Sequence, residues 1–352
     1  MNRTIALCLI AVAVIAGAAG CKLPKMKKKD AGAPYVYTPP TVATTATTAV
    51  PSVDPSAVEE AAKKAYLKHK SSCDMGNAFD CVNVGFDYQK GLGVPKDEST
   101  AADYYKKACD SHSRDGAEGC ADLAWLYEMG YGVPKDEVKA VSLYKEGCDL
   151  GAKLGCNNLG VMYRDGRGGI AKDYAKSATY FDKACTMNDV AACANLGYMY
   201  GKGQGVPKNA RRAIELYEFA CDRGNAYGCH NLGYRYQEGD GVPKNARKAA
   251  TLYEKACDAQ LPEMDACVNL AGLYEYGDGV ALDYDEAAKL YRKACDGQQA
   301  HGCKYLGDMY KTGRGSVITR DTAQAGVYYK KACDLGDTQA CTSLALLKKS
   351  GP

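Results

Sequence analysis

The stretch CDRGNAYGCHNLGYRYQEGDGVPKNARKAATLYEKAC, residues 221–257, decides how the rest of the chain is read. Cys229 follows Cys221 by eight residues, and Leu232, Gly233 and Tyr236 stand three, four and seven residues further on. At 100° per residue those positions share one face of a helix with the cysteine. Gly239, ten residues after Cys229, supplies the left-handed stop that a residue with a Cβ resists. Gly241-Val242-Pro243 then turns the chain, and Asn245 is a good N-cap for a second helix that carries Tyr253 and closes at Cys257. At Cys257 the unit begins again.

First cysteines fall at 73, 109, 148, 185, 221, 257, 295 and 333, in steps of 36 to 39 residues. A fixed period in this range is the signature of a helical solenoid. We name the two helices of each unit A and B. Helix A is expected to begin around Cys81, Cys120, Cys156, Cys193, Cys229, Cys267, Cys303 and Cys341. It should end at Gly91, Gly130, Gly166, Gly203, Gly239, Gly277, Gly313 and Gly351. Helix B should start after Asp97, Asp136, Asp173, Asn209, Asn245, Asp283 and Asp321, each twelve residues before its closing cysteine. An aromatic sits four residues before that cysteine: Tyr105, Tyr144, Phe181, Tyr217, Tyr253, Tyr291 or Tyr329. Each repeat is therefore a two-helix brick with a small Gly or Ala facing an aromatic.

Of the 18 cysteines, Cys8 and Cys21 belong to the leader, which leaves eight local pairs and none spare. So many point to an oxidising compartment. The absence of any Cys-x-x-Cys, and only four histidines, argue against a zinc ribbon, a redox dithiol or a repeated metal site. The expected bridges are Cys73–Cys81, Cys109–Cys120, Cys148–Cys156, Cys185–Cys193, Cys221–Cys229, Cys257–Cys267, Cys295–Cys303 and Cys333–Cys341. Each pair comes with its own turn; bridges between distant repeats are the competing connectivity. A short loop closed this way is worth about 2–3 kcal/mol on the chain-entropy account.

Residues 1–20 combine Arg3, an apolar run from Ile5 to Ile15 and small residues, the pattern of an export signal, and the run is short for a membrane span. The Ala18-Ala19-Gly20-Cys21 end resembles a bacterial lipobox. That resemblance implies cleavage before Cys21 and lipid on it; plain secretion with a free cysteine is the alternative. Lys22 after the cysteine points, by the same analogy, to the outer membrane, with the repeats in the periplasm or at the cell surface. Residues 21–54 read as a disordered tether, Lys-rich at 25–29 and then rich in Thr, Ala and Pro, with a reach of about 30 Å. Residues 55–352 form the solenoid. Net charge is +3, but the first 54 residues hold six basic side chains against two acidic ones, so the array itself is nearly neutral. It offers no electrostatic footprint for nucleic acid.

The strings Asn-Leu-Gly-x-x-Tyr, Gly-x-Gly-Val-Pro-Lys and Ala-x-x-Tyr-Tyr-x-Lys-Ala-Cys-Asp, with the eight-residue cysteine step, resemble the Sel-1-like repeat family, and within it the Helicobacter cysteine-rich proteins. The likeness covers about residues 57–350. It implies an all-α fold: an α/α superhelical solenoid of helix-turn-helix repeats, related to tetratricopeptide arrays and stapled by local disulfides. It also implies a concave surface for protein or peptide partners and no cofactor. Some cysteine-rich members carry a penicillin-binding or β-lactamase label. Ser142-Leu143-Tyr144-Lys145 and Lys311-Thr312-Gly313 match two of the three motifs such an enzyme needs. Ser-Asp-Asn is absent, and both matches fall at repeat positions with structural reasons. The nature of the chain leans away from an enzyme.

A binding surface should lie opposite the cysteine face of helix A. The second position after the cysteine gives Asn83, Asn158, Asn195, Asn231 and Asn269, whose amides can bond an extended peptide or the solenoid itself. The fifth gives Phe86, Trp125, Tyr198 and Tyr234, which can anchor a partner or pack between neighbouring A helices.

Overall fold

The computed structural model describes residues 55–349. Among them are sixteen α-helices, one short 3₁₀ turn and no strand. The expected signal peptide, Cys21, the tether, Asp54 and Gly351 lie outside the described residues.

In chain order the helices are α1 (Pro55–Asp74), α2 (Ala78–Lys90), α3 (Glu98–Cys109), α4 (Ala117–Met129), α5 (Glu137–Leu150), α6 (Lys153–Asp165), α7 (Tyr174–Thr186) and α8 (Val190–Lys202). They continue as α9 (Ala210–Asp222), α10 (Ala226–Glu238), α11 (Ala246–Cys257), α12 (Met264–Tyr276), α13 (Tyr284–Asp296), α14 (Ala300–Thr312), α15 (Thr322–Asp334) and α16 (Thr338–Lys349). Even-numbered helices are A, odd-numbered ones B. The described chain divides into two compact units. In the first, α1 to α7 pack each against the next, and α4 also touches α2 and α6. In the second, α9 to α16 follow the same pattern. Packing of sequential helix pairs is what makes each unit a solenoid.

The expected caps are present. All seven helix B N-cap side chains accept backbone N–H groups of the first turn, as Asn245 does from Lys248 at 2.9 Å. Such a cap typically contributes about 1 kcal/mol. Gly239 sits at φ 75°, and its N–H bonds the carbonyl of Arg235. The start of helix A differs from expectation: it lies three residues before the cysteine, at Ala78, Ala117, Lys153, Val190, Ala226, Met264, Ala300 and Thr338. In five repeats a cap accompanies this earlier start: Asn77, Asp189, Asn225, Gln299 and Asp337 accept the N–H groups of Asp80, Ala192, Gly228, Gly302 and Ala340, whereas α4, α6 and α12 start at the same place without a side-chain cap. The second cysteine is then held inside the first turn, facing the end of the preceding helix B.

Seven bridges join the expected partners with Cα atoms 4.5–4.9 Å apart. Cys185 and Cys193 are disulfide-bonded as well. The two longer gaps have local reasons. Cys109 and Cys120 enclose the 3₁₀ turn Arg114–Gly116, capped by Ser113, and Cys257 and Cys267 enclose a wider loop around Leu261.

Inside each brick the helix B aromatic is fully buried on a small residue of helix A. Tyr253 lies on Gly233, where an added Cβ would come within 2.8 Å of the ring. Gly160 under Phe181 and Gly307 under Tyr329 repeat the contact. The leucine beside that small residue completes the core: Leu232 in α10 and Leu306 in α14 are buried.

Candidate partner-binding surface

The face of helix A opposite its cysteine emerges from the register just described, and the residues expected there have different fates. In the first unit, Asn83 donates to Asp80 at 3.1 Å. Asn158 is buried, accepts from Asn157 at 3.1 Å and lies against the Tyr144 hydroxyl. Trp125 is half-buried, with its ring 5.3 Å from that of Tyr131. In the second unit, Asn195 is fully buried, Asn231 donates to the Tyr227 carbonyl at 2.8 Å, and Asn269 meets Nε2 of His230 at 3.0 Å. Tyr198 is half-buried, with the Lys202 ammonium over its ring. Tyr234 is 47 % exposed. The asparagine amides thus have bonds within the chain, and the open part of the surface is aromatic.

Further rings and apolar groups stand out on the same face, which also takes in the sixth and ninth positions after the cysteine. Phe79 and Tyr276 are exposed, Tyr276 by 76 %, and Met129 is exposed at the same repeat position as Tyr276. All three lie on A helices, two residues before or nine after the cysteine.

The first unit also gathers carboxyl groups beside this face. Asp122 takes the position where five other repeats have Asn. Burial, and then the charge of Glu118, push its pKa up to about 8, with Lys90 opposing. Burial also raises Glu118 and Asp189, and Asp189 accepts the Ala192 N–H at 2.8 Å. Asp122 therefore holds a proton near neutrality, where an asparagine would hold a fixed amide. The signal was in the sequence, a carboxyl in an amide's place, but the desolvation of that half-buried carboxyl was not.

The motif matches for acyl chemistry are engaged otherwise. The Ser142 hydroxyl donates to the Lys139 carbonyl at 2.8 Å, and the Lys145 ammonium pairs with Asp149 at 2.6 Å on the exposed side of α5. Gly313, at φ 70°, is the stop of α14, and the Thr312 hydroxyl donates to the Asp308 carbonyl at 2.9 Å. Among the described residues, Cys109, Cys120 and Glu146 gather as metal ligands would, but the two sulfurs are joined to each other and offer no thiolate. No helix of the described residues is long and apolar enough to cross a membrane.

A family model described as Sel1 repeat matches seven successive segments: residues 79–113, 117–151, 153–189, 190–225, 226–261, 265–298 and 300–337. Among solved structures, the chain is similar to c5321, a protective antigen of uropathogenic Escherichia coli with an SLR fold. Identity is 26 %, covering 82 % of this chain and 68 % of that one, with a TM-score of 0.56. It is similar to a Sel1 repeat protein of Oxalobacter formigenes at 27 % identity, covering 67 % of this chain and 99 % of that one, with a TM-score of 0.59. Cysteine rich protein B of Helicobacter pylori matches at 32 % identity over 39 % of this chain and 96 % of its own, with a TM-score of 0.31. No curated protein matches.

Proposed function

The chain belongs to the Sel1 repeat family, and from that premise we propose that it is a lipid-anchored, extracytoplasmic scaffold that holds protein or peptide partners on the exposed face of its A helices. A scaffold fold of this kind suggests protein–protein interaction. The observation that carries the reading is the set of solvent-facing rings Phe79, Phe86, Tyr234 and Tyr276 on A helices, beside asparagines already bonded within the chain. Aromatic side chains give large contact area at low entropic cost and are enriched in binding hot spots. Cys21 carries the anchor in this reading, and residues 22–54 the tether, with the repeats on the far side of a bacterial inner membrane.

A photo-crosslinking residue in place of Tyr234, against one in place of Val138 on helix B, tests the surface in the native cell. Discrete adducts at 234 and none at 138 are expected; an equal smear at both ends the proposal. Membrane fractionation of Cys21→Ser tests the anchor, with release from the membrane expected.

The alternative, β-lactam binding or hydrolysis, has Ser142 and Lys145 as its candidates. Their bonds to Lys139 and Asp149 favour the scaffold reading. A chromogenic cephalosporin assay separates the two: turnover lost in Ser142→Ala would replace the scaffold reading with an enzyme.

A further inference from the structure

The last described brick of the second unit carries a partly apolar surface. An open groove of about 510 Å³ runs between α15 and α16, lined by Val327, Lys330, Leu344, Leu347 and Lys348 among others. Its floor near Gly326 corresponds to a seat that the preceding B helices of this unit have filled. There the second glycine of the following turn packs down: Gly241 on Ala210 and Ile214, Gly279 on Ala246 and Arg247, Gly315 on Tyr284 and Asp285. The counterparts on α15 are Thr322 and Ala323, which border the groove. Leu344 is half-buried, whereas its equivalents Leu232 and Leu306 are buried. Ala345, the counterpart of the Gly233 that lies under Tyr253, is exposed.

The sequence of this brick is matched to a cover. Six residues before the closing cysteine, the B helices from α3 to α13 have a polar, exposed residue: Asp103, Ser142, Thr179, Glu215, Thr251 and Lys289; α1, at the other end of the described repeats, has the exposed Leu67 there. In α15 that residue is Val327, 58 % exposed. A hydrophobe substituted at a solvated position beside half-buried leucines makes an apolar surface suited to a partner. The charged residues in its lining are both lysines: Lys330, which pairs with Asp334 at 2.7 Å along α15, and Lys348, with Lys349 following it.

We propose that the α15–α16 groove binds an amphipathic helix of a partner protein whose apolar stripe is flanked by carboxylates. Elsewhere in this unit the same faces accept helical bricks, so a helix is the shape that fits. The lysines select an acidic flank and disfavour a basic one. An inward groove between two helices suits an inserted helix better than a flat lipid surface. A second copy docking by the same groove would bring Lys330 and Lys348 against their own equivalents. This surface is separate from the A-helix face and stands or falls without it.

Two synthetic helical peptides with the same leucine stripe, one flanked by Glu and one by Lys, test the proposal by fluorescence anisotropy with the oxidised protein. The Glu peptide is expected to bind at least about tenfold more tightly, a difference that shrinks with salt. Val327→Lys should weaken it about tenfold, and Lys330→Glu with Lys348→Glu should reverse the preference. Val327 and Lys330 are exposed, so melting curves of the variants should match the parent. Equal binding of both peptides, or binding that ignores Val327→Lys, overturns the proposal. So does a dimer in sedimentation that Val327→Lys dissolves, or binding to anionic vesicles lost in that variant while neither peptide binds.

Discussion

The Tyr144 hydroxyl donates to the Glu128 carboxylate across 2.7 Å, from the buried face of helix B to the eighth residue after the helix A cysteine. Tyr291 does the same to Glu275 at 2.8 Å, while Tyr105 and Tyr253 reach Gln89 and Gln237 at 2.9 and 2.6 Å. The choice of acceptor follows its surroundings. Where it is Glu, the small residue under the ring is Ala124 or Ala271, and an arginine of the next turn completes the site: Arg167 to Glu128 at 2.9 Å, Arg314 to Glu275 at 2.8 Å. Where it is Gln, the small residue is Gly85 or Gly233. Where the aromatic is Phe181 and has no hydroxyl, the eighth position is Arg164, bonded to Asp165 instead. A buried carboxylate needs a cation; a buried amide does not.

This linkage predicts the order of three variants in guanidine unfolding. Tyr144→Phe should cost about 1–2 kcal/mol by removing one donor from Glu128. Arg167→Leu should cost more, since it leaves the carboxylate without its cation. Glu128→Gln combined with Arg167→Leu should recover part of that loss, because it recreates the Tyr105–Gln89 arrangement of the preceding brick. A double variant as weak as Arg167→Leu would show that the charge balance does not matter.

Two glycines on A helices should respond oppositely to alanine. Gly233→Ala places a Cβ 2.8 Å from the Tyr253 ring and should cost about 1–3 kcal/mol as the ring is pushed aside. Gly272→Ala meets only the Tyr291 hydroxyl, at 3.9 Å, and should gain up to about 1 kcal/mol of helix propensity. Equal melting temperatures for the two would contradict the packing described.

Asp122 should make the protein less stable as pH rises. Its pKa is raised from 3.8 to about 8 in the folded chain, so between those values the folded state binds a proton that the unfolded state has lost. Stability from this group is greatest in acid and falls across that window. Asp122→Asn removes the penalty and should stabilise by about 1–3 kcal/mol at pH 8, with the gain vanishing toward pH 4. Thermal melts of both proteins at the two pH values measure it; a constant difference would mean that Asp122 stays ionised.

Removing one bridge, as in Cys221→Ser with Cys229→Ser, should cost about 2–3 kcal/mol, the loop-closure entropy of a short loop. The loss should appear as local unfolding around α9 and α10, read by hydrogen exchange, since each brick contacts only its neighbours. Uniform loss of protection through the whole second unit would argue that the bricks do not unfold separately.

Much of the brick was legible because its signals are local. Asp136 or Asn245 caps a helix through atoms within three residues, and Gly239 stops one through its own φ. The cysteine pairs close loops of eight to eleven residues, so period and spacing were enough to pair them. Helix A begins earlier than expected, and where it is capped, as by Asn77 and Asn225, the cap lies in what reads as a cysteine spacer.

The sequence by itself determined the all-α repeat, its register, its caps and its local bridges, since each is set by groups a few residues apart. Only the tertiary structure decided which faces of those helices meet water. It turned the asparagine row inward to Asp80, Tyr227 and His230, left Tyr234 and Tyr276 outside, and raised Asp122 by burial. It also opened the groove beside Val327. Exposure and desolvation depend on what the neighbouring brick places over a residue some thirty to forty positions away, and no local pattern of residue types encodes that.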